Sequence, residues 1–218
     1  ALTKCYYILN GTIRLEDVFR VGVGCLIIGG LIGIYLTLVS GWMVLWLSLA
    51  GAMICYFYSA PPLKLGYRGL GEITVALTMG PMISLGTYYV LTQDINLEPI
   101  IVSIPIGVLI GTVLYVHSIM DFDADKAAGK KTLAGLLGQG RSIRMLPLPF
   151  VISYGVLVAG VILKILPLIM LIALLTIPMA YKLIQLMNRL AKGDPSNTSR
   201  AWWMGPMEMW NEPFIVVM

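Results

Sequence analysis

Six apolar runs, each close to the length of a membrane-crossing helix, constrain this chain more than any other feature. They cover residues 18–39, 41–58, 71–91, 99–120, 145–163 and 165–187. A helix rises 1.5 Å per residue, so about 20 residues cross the ~30 Å hydrocarbon layer of a bilayer. Barrel strands would be about half as long and would alternate apolar with polar side chains. The composition agrees, because 58% of the 218 residues are hydrophobic and 12% are charged, against roughly 25% charged in soluble domains. A soluble fold of this size cannot hide that much apolar surface, whereas a bilayer makes hiding it unnecessary. The expected fold is all-α, a polytopic transmembrane helical bundle of six to seven spans. The seventh segment, residues 201–218, is interrupted by Glu208 and Glu212 and carries Trp202, Trp203 and Trp210. It reads as an interfacial helix or a shortened span.

Once the spans are drawn, every one of the 15 Lys and Arg residues except Lys164 falls on one face. The positive-inside rule makes that face cytoplasmic. The reading is therefore an integral protein of a prokaryotic plasma membrane, with its basic loops in the cytoplasm and no cleavable signal sequence before the first span. Topology accounts for the net charge of +4, and no nucleic-acid partner is expected. Cys5, Cys25 and Cys55 are odd in number and two lie in apolar runs, which excludes a disulfide framework in favour of small apolar packing. Gly29 with Gly33 and Gly107 with Gly111 have the spacing of close helix contacts, while Gly80-Pro81 and Pro105 are expected to kink their helices.

Two cytoplasmic loops gather chemistry beyond scattered lysines. One reads His117-Ser-Ile-Met-Asp121-Phe-Asp123-Ala-Asp125-Lys126-Ala-Ala-Gly-Lys130-Lys131-Thr132. If the preceding span continues as helix, Asp121 and Asp125 share a face and Asp123 points elsewhere. Two like charges repel, and a divalent cation between them removes that cost. Carboxylate oxygens suit Mg²⁺, which takes a few protein ligands and completes its shell with water and phosphate oxygens. Lys126, Lys130 and Lys131 would meet the remaining charge of a diphosphate. An EF-hand fails here, because Lys126 stands where the turn glycine is required and Thr132 where the bidentate glutamate belongs.

The other loop, Tyr56-Phe-Tyr58-Ser59-Ala-Pro61-Pro62-Leu-Lys64-Leu-Gly66-Tyr67-Arg68-Gly69-Leu-Gly71-Glu72, ends a helix with paired prolines and turns on glycines. It offers aromatic faces, a hydroxyl and the cations Lys64 and Arg68. Gly69-x-Gly71 lacks a third glycine and a preceding strand, so it is no dinucleotide fingerprint.

Together, Tyr58-Ser-Ala-Pro-Pro-Leu-Lys-Leu, Tyr67-Arg-Gly-Leu-Gly-Glu72 and Asp121-x-x-x-Asp125-Lys126-x-x-Gly129-Lys130-Lys131-Thr132 resemble the UbiA superfamily of intramembrane prenyltransferases. Within it the chain is most similar to the MenA-like branch, which prenylates 1,4-dihydroxy-2-naphthoate; Gly80-Pro81 and Tyr88-Tyr89-Val90 add to the likeness. The resemblance implies a nine-span bundle around a central cavity and two Asp-rich motifs holding Mg²⁺ on an isoprenyl diphosphate. Asp121 and Asp125 would be metal ligands, and Lys64, Arg68, Lys126 and Lys130 would hold the diphosphate. Tyr58 would face the allylic cation, and Ser59 and His117 would contact the aromatic acceptor. No stretch matches the first Asp-rich motif, so the chain is expected to begin after two helices and to be inactive alone. His117-Ser118 and Met120 depart from the asparagines and arginine usual in that branch, which leaves 4-hydroxybenzoate, a chlorophyll precursor or a glycerophosphate lipid as alternative acceptors. The alternative of another class is a transporter with an Asp cation site, but such sites lie at the bilayer midplane on broken helices rather than at a helix end beside lysines.

Overall fold

The computed structural model describes residues 11–191. Helix α1 (Leu15–Ser40) and helix α2 (Trp42–Ser59) form a hairpin through Gly41, whose φ of 93° is a conformation that glycine alone adopts without strain. A 3₁₀ turn (Leu65–Tyr67) leads to the third span, which is α3 (Gly71–Leu77), a wide π turn (Thr78–Met82) and α4 (Ile83–Thr92). The fourth span is one helix, α5 (Glu98–Met120). Three short helices follow, α6 (Phe122–Ala127), α7 (Leu133–Leu137) and α8 (Gln139–Met145), the last running into α9 (Pro147–Ile162). A 3₁₀ stretch (Leu168–Thr176) and α10 (Ile177–Ala191) complete the described chain. No strand occurs among the described residues beyond one isolated bridge between Arg68 and Lys131.

Among the described residues six segments are long and apolar enough to cross a membrane, and the protein is an integral membrane helical bundle. Five spans begin and end within three residues of the limits read from the sequence. The fifth starts at Gln139 rather than 145, because the polar turn Gln139-Gly-Arg-Ser-Ile-Arg-Met is helical and buries Ser142 and Ile143 while its arginines stay outside. The segment 201–218 lies outside the described residues.

Most apolar side chains of the spans face outward; Leu38 is 81% exposed. The buried core is small and sits at the loop end of the bundle, where Tyr115, Ile119, Ala134, Ile143, Leu146 and Met187 pack together. Helix α5 is its axis, touching α3, the π turn and α9. Glycines set the α3–α5 approach. A Cβ on Gly111 would lie 2.9 Å from the Glu72 carbonyl oxygen, one on Gly80 2.7 Å from Gly107 Cα, and one on Gly107 would strike the Ala76 carbonyl. With Cβ atoms absent, the backbones come together as small residues permit in lipid. Gly29 and Gly33, at the same spacing, do nothing comparable: Gly29 has no atom within 4 Å of a Cβ position, and Gly33 has only the Ser48 hydroxyl at 3.9 Å. The Gly80-Pro81 step became the π turn, whereas α5 continues through Pro105 as one helix.

Candidate active site

Between α2, the third span and α5 lies a cavity of about 1070 Å³ with an almost wholly apolar wall. Tyr58, Ser59 and His117 line it, so the three residues assigned to the acceptor end and the cation share one chamber. Tyr58 is the last-but-one residue of α2, and its ring lies against loop glycines. A Cβ at Gly66 would stand 3.1 Å from the ring, and one at Gly71 would stand 3.3 Å from the hydroxyl. The glycines that read as turn formers are thus also the bed of this tyrosine.

His117 Nδ1 is 2.9 Å from the Val113 carbonyl oxygen. A carbonyl only accepts, so Nδ1 is the nitrogen that carries a proton in this contact. His117 is also the first of three residues stacked at helical spacing. The Asp121 N–H donates to the His117 carbonyl and the Asp125 N–H to the Asp121 carbonyl, each at 2.8 Å. The turn thus survives the joint at Asp121, where φ is −88° and ψ 14°. His117, Asp121 and Asp125 thus follow one another a turn apart, from the cavity wall into the loop, with only His117 of the three lining the cavity, while Asp123 is exposed.

The cations are not equivalent. Lys130 Nζ stands 3.4 Å from Asp125 Oδ1, with both side chains partly buried, so one carboxylate expected to hold metal is already balanced from within its loop. Arg68 donates from Nη2 to the Pro62 carbonyl at 3.0 Å. Lys64 adopts the left-handed conformation, φ 46°, which costs an L-residue roughly 1–2 kcal/mol, and it is exposed like Lys126. No group of three or more His, Cys, Asp or Glu side chains suited to a metal occurs among the described residues. Two carboxylates one turn apart fit Mg²⁺ as part of its shell, since that ion keeps waters and substrate phosphates as its remaining ligands.

The two loops meet. The Lys131 N–H donates to the Tyr67 carbonyl at 3.2 Å, and a Cβ at Gly69, φ 74°, would collide with Leu136. Sequence reasoning passed over one participant. Glu72, the second residue of α3, is 6% exposed, and its Oε1 accepts from Ser118 Oγ at 2.9 Å and from the Leu133 N–H at 3.3 Å. Hydrogen bonds to a charged group contribute about 1.5–3 kcal/mol each. The signal was present, because an ionisable residue just inside an apolar span is a functional flag by default.

The UbiA prenyltransferase family model matches residues 3–211, nearly the whole chain. The chain belongs to the UbiA prenyltransferase family. Among curated UbiA relatives, the 1,4-dihydroxy-2-naphthoate octaprenyltransferase of Bacillus subtilis is 33% identical over 134 residues, 60% of this chain and 43% of the relative. The 2-carboxy-1,4-naphthoquinone phytyltransferase of Synechocystis is 31% identical over 144 residues, 66% of this chain and 47% of the relative. The 1,4-dihydroxy-2-naphthoate octaprenyltransferase of Mycobacterium tuberculosis is 33% identical over 135 residues, 60% and 44% respectively. Each match thus takes in less than half of its relative. No solved structure matches this UbiA chain.

Proposed function

We propose that the protein to which this chain belongs transfers a polyprenyl group from its diphosphate to an aromatic naphthoate acceptor, in quinone biosynthesis at a prokaryotic plasma membrane. The observation that carries the reading is the apolar cavity lined by His117, with Asp121 and Asp125 following it one and two turns further along the chain. An isoprenoid diphosphate has the same polarity, with a long apolar tail and a multiply anionic head. The tail would occupy the cavity, whose apolar wall matches the lipid the tail leaves, and the head would reach the cytoplasmic loops. The names of the relatives, two of them naphthoate octaprenyltransferases, favour the naphthoate over the other acceptors.

Asp121 and Asp125 would hold Mg²⁺ on the diphosphate, and the metal would neutralise the charge of the leaving group. Lys64, Arg68, Lys126 and Lys130, on the same two loops, would stabilise the same charge. As the C–O bond breaks, the allylic carbon becomes cationic beside the Tyr58 ring, whose face is electron-rich. The apolar wall keeps water from capturing the cation. In its neutral form His117 would accept at Nε2 a hydrogen bond from a ring hydroxyl of the acceptor and draw electron density toward the attacking carbon. After the new C–C bond forms, the ring loses a proton or carbon dioxide to regain aromaticity, and the diphosphate leaves with the metal.

The deciding experiment incubates membranes carrying the full-length protein with labelled polyprenyl diphosphate, Mg²⁺ and a panel of aromatic and lipid acceptors. Prenylated naphthoate formed only with Mg²⁺ is the expected product. No transfer to any acceptor by folded protein would overturn the reading and return the weight to an Asp-based cation transporter. In the same assay, His117→Phe should raise KM for the acceptor about tenfold, the loss of roughly one hydrogen bond, with KM for the diphosphate unchanged.

A further inference from the structure

The acidic loop after α5 has two shoulders, Ser118 before it and Leu133 after it, and both donate to the same oxygen atom. That atom is Oε1 of Glu72, which reaches Ser118 across 46 residues of sequence and Leu133 across 61. We propose that Glu72 is a positioning residue that closes the Asp121–Lys130 loop from outside and holds it against the first loop, so that its carboxylates and lysines are set for the diphosphate before substrate arrives. The inference rests on the prenyl-transfer reading for its kinetic consequence but not for its structural one.

Several features show that the arrangement is built rather than incidental. Glu72 reaches its partners because Gly111 lets the first turn of α3 lie directly on α5, with the Glu72 carbonyl oxygen 2.9 Å from where a Cβ would be. A buried carboxylate in a membrane span is costly unless hydrogen-bonded, and among the described residues no buried side-chain nitrogen or oxygen lacks a partner. Ser118 Oγ also lies 3.1 Å from the Leu114 carbonyl; its one proton favours the shorter bond to the carboxylate. On the other shoulder, the segment entering Leu133 is fixed twice more, by the Lys131 N–H on the Tyr67 carbonyl and by Thr132 Oγ1, which accepts from the Gly135 N–H at 3.2 Å to cap α7. Glu72 touches neither metal nor substrate in this scheme; it acts through the loop.

Glutamine and alanine separate positioning from general stability. Glu72→Gln keeps an oxygen able to accept both bonds, whereas Glu72→Ala removes both, and Ser118→Ala removes only the first. Hydrogen exchange of the substrate-free full-length protein in detergent is expected to quicken about tenfold across residues 119–133 in Glu72→Ala, less in Ser118→Ala, and little in Glu72→Gln, with α1 unchanged in all three. In the transfer assay, Glu72→Ala should raise KM for the diphosphate about tenfold and leave KM for the acceptor within about twofold, and Glu72→Gln should restore most of the loss. Unaltered exchange across 119–133 in Glu72→Ala would overturn the inference, as would an equal rise in both KM values. If Glu72→Ala does not fold, Ser118→Ala carries the same test. A wild-type protein that transfers no prenyl group would defeat the proposed reaction alone, because the exchange pattern still decides whether Glu72 holds the loop.

Discussion

Asp125→Ala in the full-length protein is expected to lower Mg²⁺-dependent prenyl transfer by on the order of 10³-fold, equivalent to about 4 kcal/mol of transition-state stabilisation. Two losses combine in this one change. The metal would lose a carboxylate, and Lys130, which stands 3.4 Å from Asp125 Oδ1, would lose the partner that fixes its ammonium group. Asp125→Asn separates them, since an amide oxygen still receives Lys130 but binds the cation weakly. It should remain nearly as inactive, with the Mg²⁺ concentration for half-maximal rate raised. Asp123→Ala is the control: Asp123 is two residues away and exposed, and its loss should change the rate by no more than about twofold. Initial rates against Mg²⁺ concentration for the three variants check this, and an Asp125→Ala protein within about threefold of wild type would remove the aspartate from the reaction.

The largest effect on stability is expected at Gly107. Valine there would drive its Cβ into the Ala76 carbonyl and to within 3.0 Å of Gly80 Cα. Both obstacles are backbone, so no side-chain rotation relieves them and the α3–α5 crossing must open. Overpacking of this kind costs about 1–3 kcal/mol, which in a chain of this size lowers the melting temperature by about 2–4 °C per kcal/mol. Gly29→Val, on α1 where no atom lies within 4 Å of the Cβ position, should shift it by no more than about 1 °C. Thermal unfolding of the two variants in the same detergent compares them directly, and equal shifts would deny the α3–α5 contact its role.

The contrast between these glycines measures how much was legible before the structure. Length and hydropathy suffice for the spans, because in lipid the backbone must satisfy itself and the apolar runs have little other choice. Both glycine pairs have one spacing, yet only Gly107 and Gly111 meet a neighbouring backbone; spacing along one helix carries no information about its partner. The one-turn spacing of Asp121 and Asp125 was legible for the opposite reason, being local and helical. The Lys130–Asp125 pair was legible as charges but not as a contact, since it depends on how the chain turns at Gly129, φ 69°. Glu72 stayed hidden because both of its partners are distant in sequence, and its meaning emerged only when α3, α5 and α7 were seen to converge.

The π turn at Thr78–Met82 has a consequence for the cavity wall. Thr74, Thr78, Met82, Gly86 and Val90 all line the cavity, a strict four-residue repeat. On an ordinary helix of 3.6 residues per turn each such step advances about 40°, so four steps would carry Val90 roughly 160° away from Thr74. A π turn accommodates one residue more than an α turn, which sets the phase back by about 100°. The remaining drift is small enough for both ends of the third span to present side chains to one chamber. The bulge therefore works as a phase corrector: it lets a single straight pattern in the sequence stay a single straight stripe in space, long enough to run beside an extended hydrocarbon chain.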